Sequence, residues 1–174
     1  ELAIEHWQQQ ISAEPLSVRA WLGFGRASLQ AGRLRDGLIG FKVAAQYAKL
    51  DSGLAREVAA EAGRIGLWSI AVDALALADP ADASLALLFG EAHLQAGSAS
   101  RAKQIAERLI EQESASPPAL ILLAHAERRA GRGAVADSIL QDLLTGHPAD
   151  GAIRASIVET LIDRGTFDQA RRLL

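Results

Sequence analysis

The run Val18-Arg19-Ala20-Trp21-Leu22-Gly23-Phe24-Gly25-Arg26-Ala27-Ser28-Leu29-Gln30-Ala31-Gly32-Arg33 decides how this chain is read. It is an apolar-periodic segment of about four turns that stops at Gly32, and glycine is the residue that tolerates the left-handed backbone of a helix end. A second periodic segment begins within two or three residues, with Gly37 and Phe41 in its first half. Gly25 and Gly37 fall near the middles of the two segments, where small residues let two helix axes come close. The stretch therefore predicts a helix, a tight turn and a second helix packed against the first.

The same signals recur along the chain. Gly32, Gly66, Gly97, Gly131 and Gly165 are separated by 34, 31, 34 and 34 residues. Five residues after each stands Gly37, Ala71, Ala102, Ala136 or Ala170, and seven before each stands Gly25, Ala59, Gly90, Ala124 or Val158. Three ladders with one shared period establish an internal repeat. Thr166-Phe167-Asp168-Gln169 has the spacing of a capping box that would open the last second helix. Pro15, Pro80, Pro117, Pro118 and Pro148 fall at or near the joints between repeats, where a first helical turn or a helix exit accepts proline. The 31-residue interval lacks three residues near Ala78 to Asp82, so the second helix or joint of that repeat should be short.

This pattern resembles the tetratricopeptide repeat, W-x2-L-G-x2-Y followed by A-x3-F and P. Trp21, Phe24 and Gly25 fill the first three places, Ser28 replaces the Tyr, and Gly37, Phe41 and Ala44 follow in register. Another copy reads Leu120, Leu123, Ala124, Glu127, Gly131, Ala136, Leu140, Leu143 and Pro148. The resemblance covers the whole chain and implies an all-α solenoid of antiparallel helix pairs. Residues 1–15 read as the second helix of a preceding repeat, 18–51, 52–82, 83–116 and 117–150 as repeats, and 151–174 as a truncated last one. Neither end shows a polar capping helix, which predicts either a longer array around this segment or disordered flanks.

Composition agrees with a helical stack and excludes several functions. The 174 residues include 35 Ala, the best intrinsic helix former, and β-branched residues never alternate. The net charge is −3, and the halves on either side of residue 87 carry 8 basic against 10 acidic residues and 10 against 11. Neither half is a basic patch, so no nucleic-acid partner is expected. No apolar run is long enough for membrane insertion. Cysteine is absent, which removes thiolate chemistry and leaves the compartment, bacterial cytoplasm or periplasm, open. Arg outnumbers Lys 15 to 3 and Asn and Met are absent, a bias that fits a GC-rich bacterial genome.

No catalytic constellation is present. Gly23-Phe24-Gly25-Arg26-Ala27-Ser28 begins like a dinucleotide fingerprint but lacks the third glycine and a preceding strand, and the repeat signature accounts for both glycines. Of the four histidines, His6, His93, His125 and His147, the pair His93 and His125 would lie on first helices of adjacent repeats. Glu91 is two residues from His93 and so points to a different face, which disfavours a metal site. Trp7, Trp21 and Trp68 occupy repeat-phase places and are expected in the core. The reading is a non-catalytic interaction scaffold with no cofactor or metal.

The resemblance implies that the first helix of each repeat lines a concave groove for a protein or peptide. Helical spacing then selects Arg19, Leu22, Arg26 and Leu29, then Arg56, then Leu87, Glu91 and Leu94, then Ile121, His125 and Arg128, and finally Glu159. That groove is expected to be basic early (Arg19, Arg26, Arg56, Arg64) and apolar in its middle, with apolar anchors for a peptide. Family members that clamp a C-terminal carboxylate use Asn and Lys or Arg at fixed places. This chain has no Asn and carries Leu22, Arg26 and Glu57 there. Two alternatives stay open: an accessory domain of a larger bacterial enzyme or envelope or polysaccharide-export machine, and self-association through the repeat ends.

Overall fold

The computed structural model describes residues 1–77, 81–113, 116–163 and 165–173. Among them the chain forms eleven α-helices and no strand: α1 (Leu2–Ala13), α2 (Val18–Gln30), α3 (Leu34–Ala48), α4 (Ser52–Arg64), α5 (Trp68–Leu75), α6 (Ala83–Gln95), α7 (Ala99–Glu113), α8 (Pro117–Arg129), α9 (Gly133–Gly146), α10 (Gly151–Asp163) and α11 (Phe167–Leu173). The chain divides into two compact units, Glu1–Ala96 and Gly97–Leu174, and within each the helices pack on their neighbours in sequence.

All five ladder glycines have positive φ, between 71° and 86°. At Gly32, Gly66, Gly131 and Gly165 the ends share one hydrogen-bond pattern. The glycine amide donates three residues back, to Leu29, Gly63, Arg128 or Ile162, and the next amide donates five residues back, to Ser28, Ala62, Glu127 or Leu161. This doubly bonded stop satisfies carbonyls that the helix leaves without partners.

The residue after the glycine also has a second role. Arg33, Leu67 and Arg132 both complete the stop of one helix and serve as N-cap of the next, with no side-chain cap. Thr166 also completes such a stop, and its hydroxyl donates back to the Leu161 carbonyl at 2.8 Å; the Gln169 side chain of the expected capping box lies outside the described residues.

First helices start differently, because a longer joint precedes them. Ser17, Asp51, Asp82 and Asp150 each accept from amides in the following first turn. Removing such a cap costs about 1 kcal/mol. Asp51→Ala, which loses the 2.9 Å bond from the Leu54 amide, is expected to lower the thermal midpoint by about 2–4 °C, read by circular dichroism.

In the first unit the core runs between the helix pairs through Val18, Leu22, Phe41, Val58, Ile70, Leu75 and Leu85, with alanines at the close approaches. α2 and α3 come nearest at their glycines: a Cβ placed on Gly40 would lie 2.6 Å from the Gly25 Cα and 2.9 Å from the Trp21 carbonyl oxygen. Gly37 is covered by Leu29, and Gly23 by the Trp7 ring, which packs with Ile4, Phe24 and Trp21. Trp7, Trp21 and Trp68 are half-buried packing residues, and Trp21 also donates its indole N–H to the Pro15 carbonyl at 2.8 Å. α5 has 8 residues against 15 for α3, which is the shortening expected of that repeat; Ala78 to Pro80 lie outside the described residues. The core of the second unit joins Ala124 of α8, Ala136, Leu140 and Leu143 of α9, and Ile153 and Ile157 of α10.

Candidate interaction face

In the first unit the residues selected for the groove lie on the first helices α2, α4 and α6, and the structure separates them into two groups. Leu22 is 3% exposed and Leu94 6%, so both are buried and offer no docking surface. This corrects the expectation for these two: Leu22 belongs to the core shared with Val58 and Phe41. Leu29 and Leu87 are half-buried, and Leu29 spends much of its side chain against Gly37. Arg19, Arg26, Arg56 and Glu91 are exposed.

The second correction is electrostatic. Arg19, Arg26 and Arg56 are each matched by a carboxylate from another first helix or from the joint before it, and Arg64 by one of its own helix. Arg19 of α2 pairs with Glu57 of α4 at 3.4 Å, and Arg26 reaches Glu61 at 3.9 Å, where Arg64 also sits at 3.1 Å. Arg56 of α4 donates to the Ser84 hydroxyl at 2.7 Å and pairs with Asp82 at 3.6 Å. The face is thus a ladder of alternating charge stitching α2 to α4 and α4 to the start of α6, not a basic strip.

The Asp82 carboxyl is held below its ordinary value, chiefly by the Ser84 hydroxyl, then by the Leu85 amide, with Arg56 adding to it. Glu91 goes the other way: partial desolvation raises its carboxyl. The pairing of Glu57, and Glu61, Asp82 and Ser84 altogether, escaped sequence reasoning. A signal existed for the first, because Arg19 and Glu57 are 38 residues apart, one 34-residue period plus a helical turn.

In the second unit Ile121 is half-buried against the core, and His125 is half-buried. Arg128 is tied down within the unit. It donates to Asp137 of α9 at 2.9 Å and to the Thr160 carbonyl of α10 at 3.3 Å, so it joins three helices. Glu159 is exposed. The strongest electrostatic feature here was not among the selected residues. Glu127 of α8 is buried, and accepts from Arg132 at the head of α9 and from Lys103 of α7 at 2.7 Å. Its carboxyl is held below the ordinary value by Arg132 first and Lys103 second, and Lys103 is raised in turn, chiefly by Glu127.

His93 packs edge-on to Phe89, ring centroids 4.5 Å apart, as a packing histidine would. Among the described residues no group of three or more His, Asp or Glu side chains could hold a metal ion. No helix among them is long and apolar enough to cross a membrane.

No family model and no curated protein matches the chain. Among solved structures it is similar to the crystal structure of a tetratricopeptide repeat protein from Parabacteroides merdae, with a TM-score of 0.66, 18% identity, and 98% of this chain and 69% of that one covered. The chain has the tetratricopeptide-repeat fold. The left-handed glycines, buried small residues and sequential pairing are how this sequence builds the tetratricopeptide architecture. At 18% identity, what the two chains share is that architecture.

Proposed function

We propose that the chain is a non-catalytic protein-interaction module, and that the α2–α4–α6 face of its first unit takes a peptide segment of a partner protein. The observation that carries this reading is the exposed charge ladder Arg19–Glu57, Arg26–Glu61–Arg64 and Arg56–Asp82. Solvent-exposed ion pairs contribute about 0–1 kcal/mol each, so a partner's charges can replace them at little cost. Buried pairs could not be exchanged in this way. Leu29 lies one turn from Arg26, and Leu87 one turn from Glu91. Both are half-buried and supply a modest apolar floor. The fold supports the interaction role by analogy, and the exposed polar ladder favours an extended, charge-bearing peptide over one held by large apolar anchors.

A peptide-display selection on the intact chain tests this. The binders are then titrated against the parent and against a variant carrying Arg19→Glu, Arg26→Glu and Arg56→Glu. Matched helical circular dichroism shows that both are folded. The selected peptides should carry both acidic and basic residues and bind the variant roughly tenfold to hundredfold more weakly, with affinity falling as salt rises. Equal affinity for parent and variant would remove this face as the site.

A further inference from the structure

α3 buries Gly37, Gly40, Phe41, Ala44, Ala45 and Ala48, and its other side faces solvent. Along that side Ile39, Val43 and Gln46 follow at intervals of four and three residues, the spacing of a helix–helix seam, and Leu50 stands in the turn just past the helix end. Ile39 is 47% exposed and Leu50 91%, while Val43 is half-buried. Tyr47, 42% exposed, flanks the seam on one side. On the other side stand Arg35, Lys42 and Lys49, seven residues apart, in the place that flanking charges take in coiled coils.

These three cations differ from the rest of their unit. Arg19, Arg26, Arg33, Arg56 and Arg64 each have a carboxylate within 4 Å, at Glu57, Glu61, Glu1, Asp82 and Glu61 respectively. Among the described residues Arg35, Lys42 and Lys49 make no ion pair. The unbalanced positive charge of the first unit is therefore concentrated in one row, beside its exposed apolar row. Asp36, the acid of α3, stands in the first turn, where the helix dipole favours it.

We infer that the outer face of α3 is a second docking surface, and that its occupant is an acidic amphipathic helix of a partner protein. Such a helix would lay its apolar seam on Ile39 and Val43, reach Leu50 in the turn past the end of α3, and set Glu or Asp side chains against Arg35, Lys42 and Lys49. A lipid surface fits less well. Val43 is half-buried and Ile39 and Tyr47 only half-exposed, so most of the row lies flat on the helix, whereas an interfacial helix sinks an apolar face about 5–10 Å into the headgroup boundary. The surface is independent of the α2–α4–α6 face and does not rest on that reading.

The test titrates the intact chain with two labelled synthetic helical peptides that share one Leu seam, one flanked by Glu and the other by Lys, and follows anisotropy. The Glu peptide should bind saturably and at least tenfold more tightly than the Lys peptide, and Lys42→Glu with Lys49→Glu should invert that preference. The Arg19→Glu, Arg26→Glu, Arg56→Glu variant should bind the Glu peptide as the parent does, which separates the two faces. Equal binding of both peptides, or none, overturns the inference. Sedimentation with phosphatidylglycerol–phosphatidylcholine vesicles supplies the other arm: lipid binding lost in the Lys42→Glu, Lys49→Glu variant, without peptide binding, would replace the helix by an anionic membrane surface.

Discussion

Gly40→Ala is expected to destabilise the chain by about 2 kcal/mol and lower its thermal midpoint by about 4–8 °C. The new Cβ would meet the Gly25 Cα at 2.6 Å and the Gly25 nitrogen at 2.7 Å. Both are backbone atoms that no rotamer change can move aside, so α2 and α3 must separate. Overpacking of this kind costs about 1–3 kcal/mol and more where relaxation is blocked. Against it stands the gain of about 1 kcal/mol from Ala over Gly in a helix interior. Gly133→Ala is the control, because a Cβ there meets nothing within 4 Å. Its midpoint should stay level or rise slightly. A Gly40→Ala protein as stable as the parent would mean that the two helices do not approach at this point.

Glu127→Gln should cost about 2 kcal/mol at pH 7, measured by denaturant unfolding. The glutamine keeps the shape but leaves Lys103 and Arg132 facing each other without the intervening negative charge. Breaking a deeply buried pair costs about 3–5 kcal/mol. The lower figure is expected here because the side chain, 5% exposed, is shielded largely by its two cationic partners, themselves 32% and 49% exposed, and water reaches the cluster through them. The pH dependence has a definite sign. Glu127 is held below the ordinary 4.5, so its contribution is complete above that value and fades as pH falls through the lowered native value. Lys103 is raised above 10.5, so its share is complete below that value and fades as pH rises through the raised one. The gap between parent and variant should therefore be flat around neutrality, close in acid and narrow again in strong alkali. A gap that persists unchanged into acid would show that Glu127 acts through packing and not charge.

The architecture was legible because the signals behind it are local and repeated. A helix stop with positive φ calls for glycine, and Gly32, Gly66, Gly97, Gly131 and Gly165 announce themselves by period. The buried small residues at Ala71, Ala102 and Ala136 follow from the same phase. Gly40 escaped because it belongs to no ladder; its need comes from one close crossing with Gly25. The site was less legible for two physical reasons. A 3.6-residue period gives a stripe but not its absolute rotation, so Leu22 was placed on the surface when it packs inward. Charge counted along the chain also misses pairing across it: Arg19, Arg26 and Arg56 look like a basic strip until Glu57, Glu61 and Asp82 are set beside them.

The stitches between successive first helices have a mechanical consequence. Within the α2–α3 pair the contact is backbone against backbone at Gly25 and Gly40, which neither salt nor a ligand can loosen. Between α2 and α4 the polar links are exposed ion pairs, Arg19–Glu57 and Arg26–Glu61. Ionic strength screens such pairs over about 8 Å under physiological conditions. The first unit is accordingly an anisotropic material, stiff within the pair and softer from one first helix to the next. Its compliance rises with salt and falls when a partner's charges bridge the same residues.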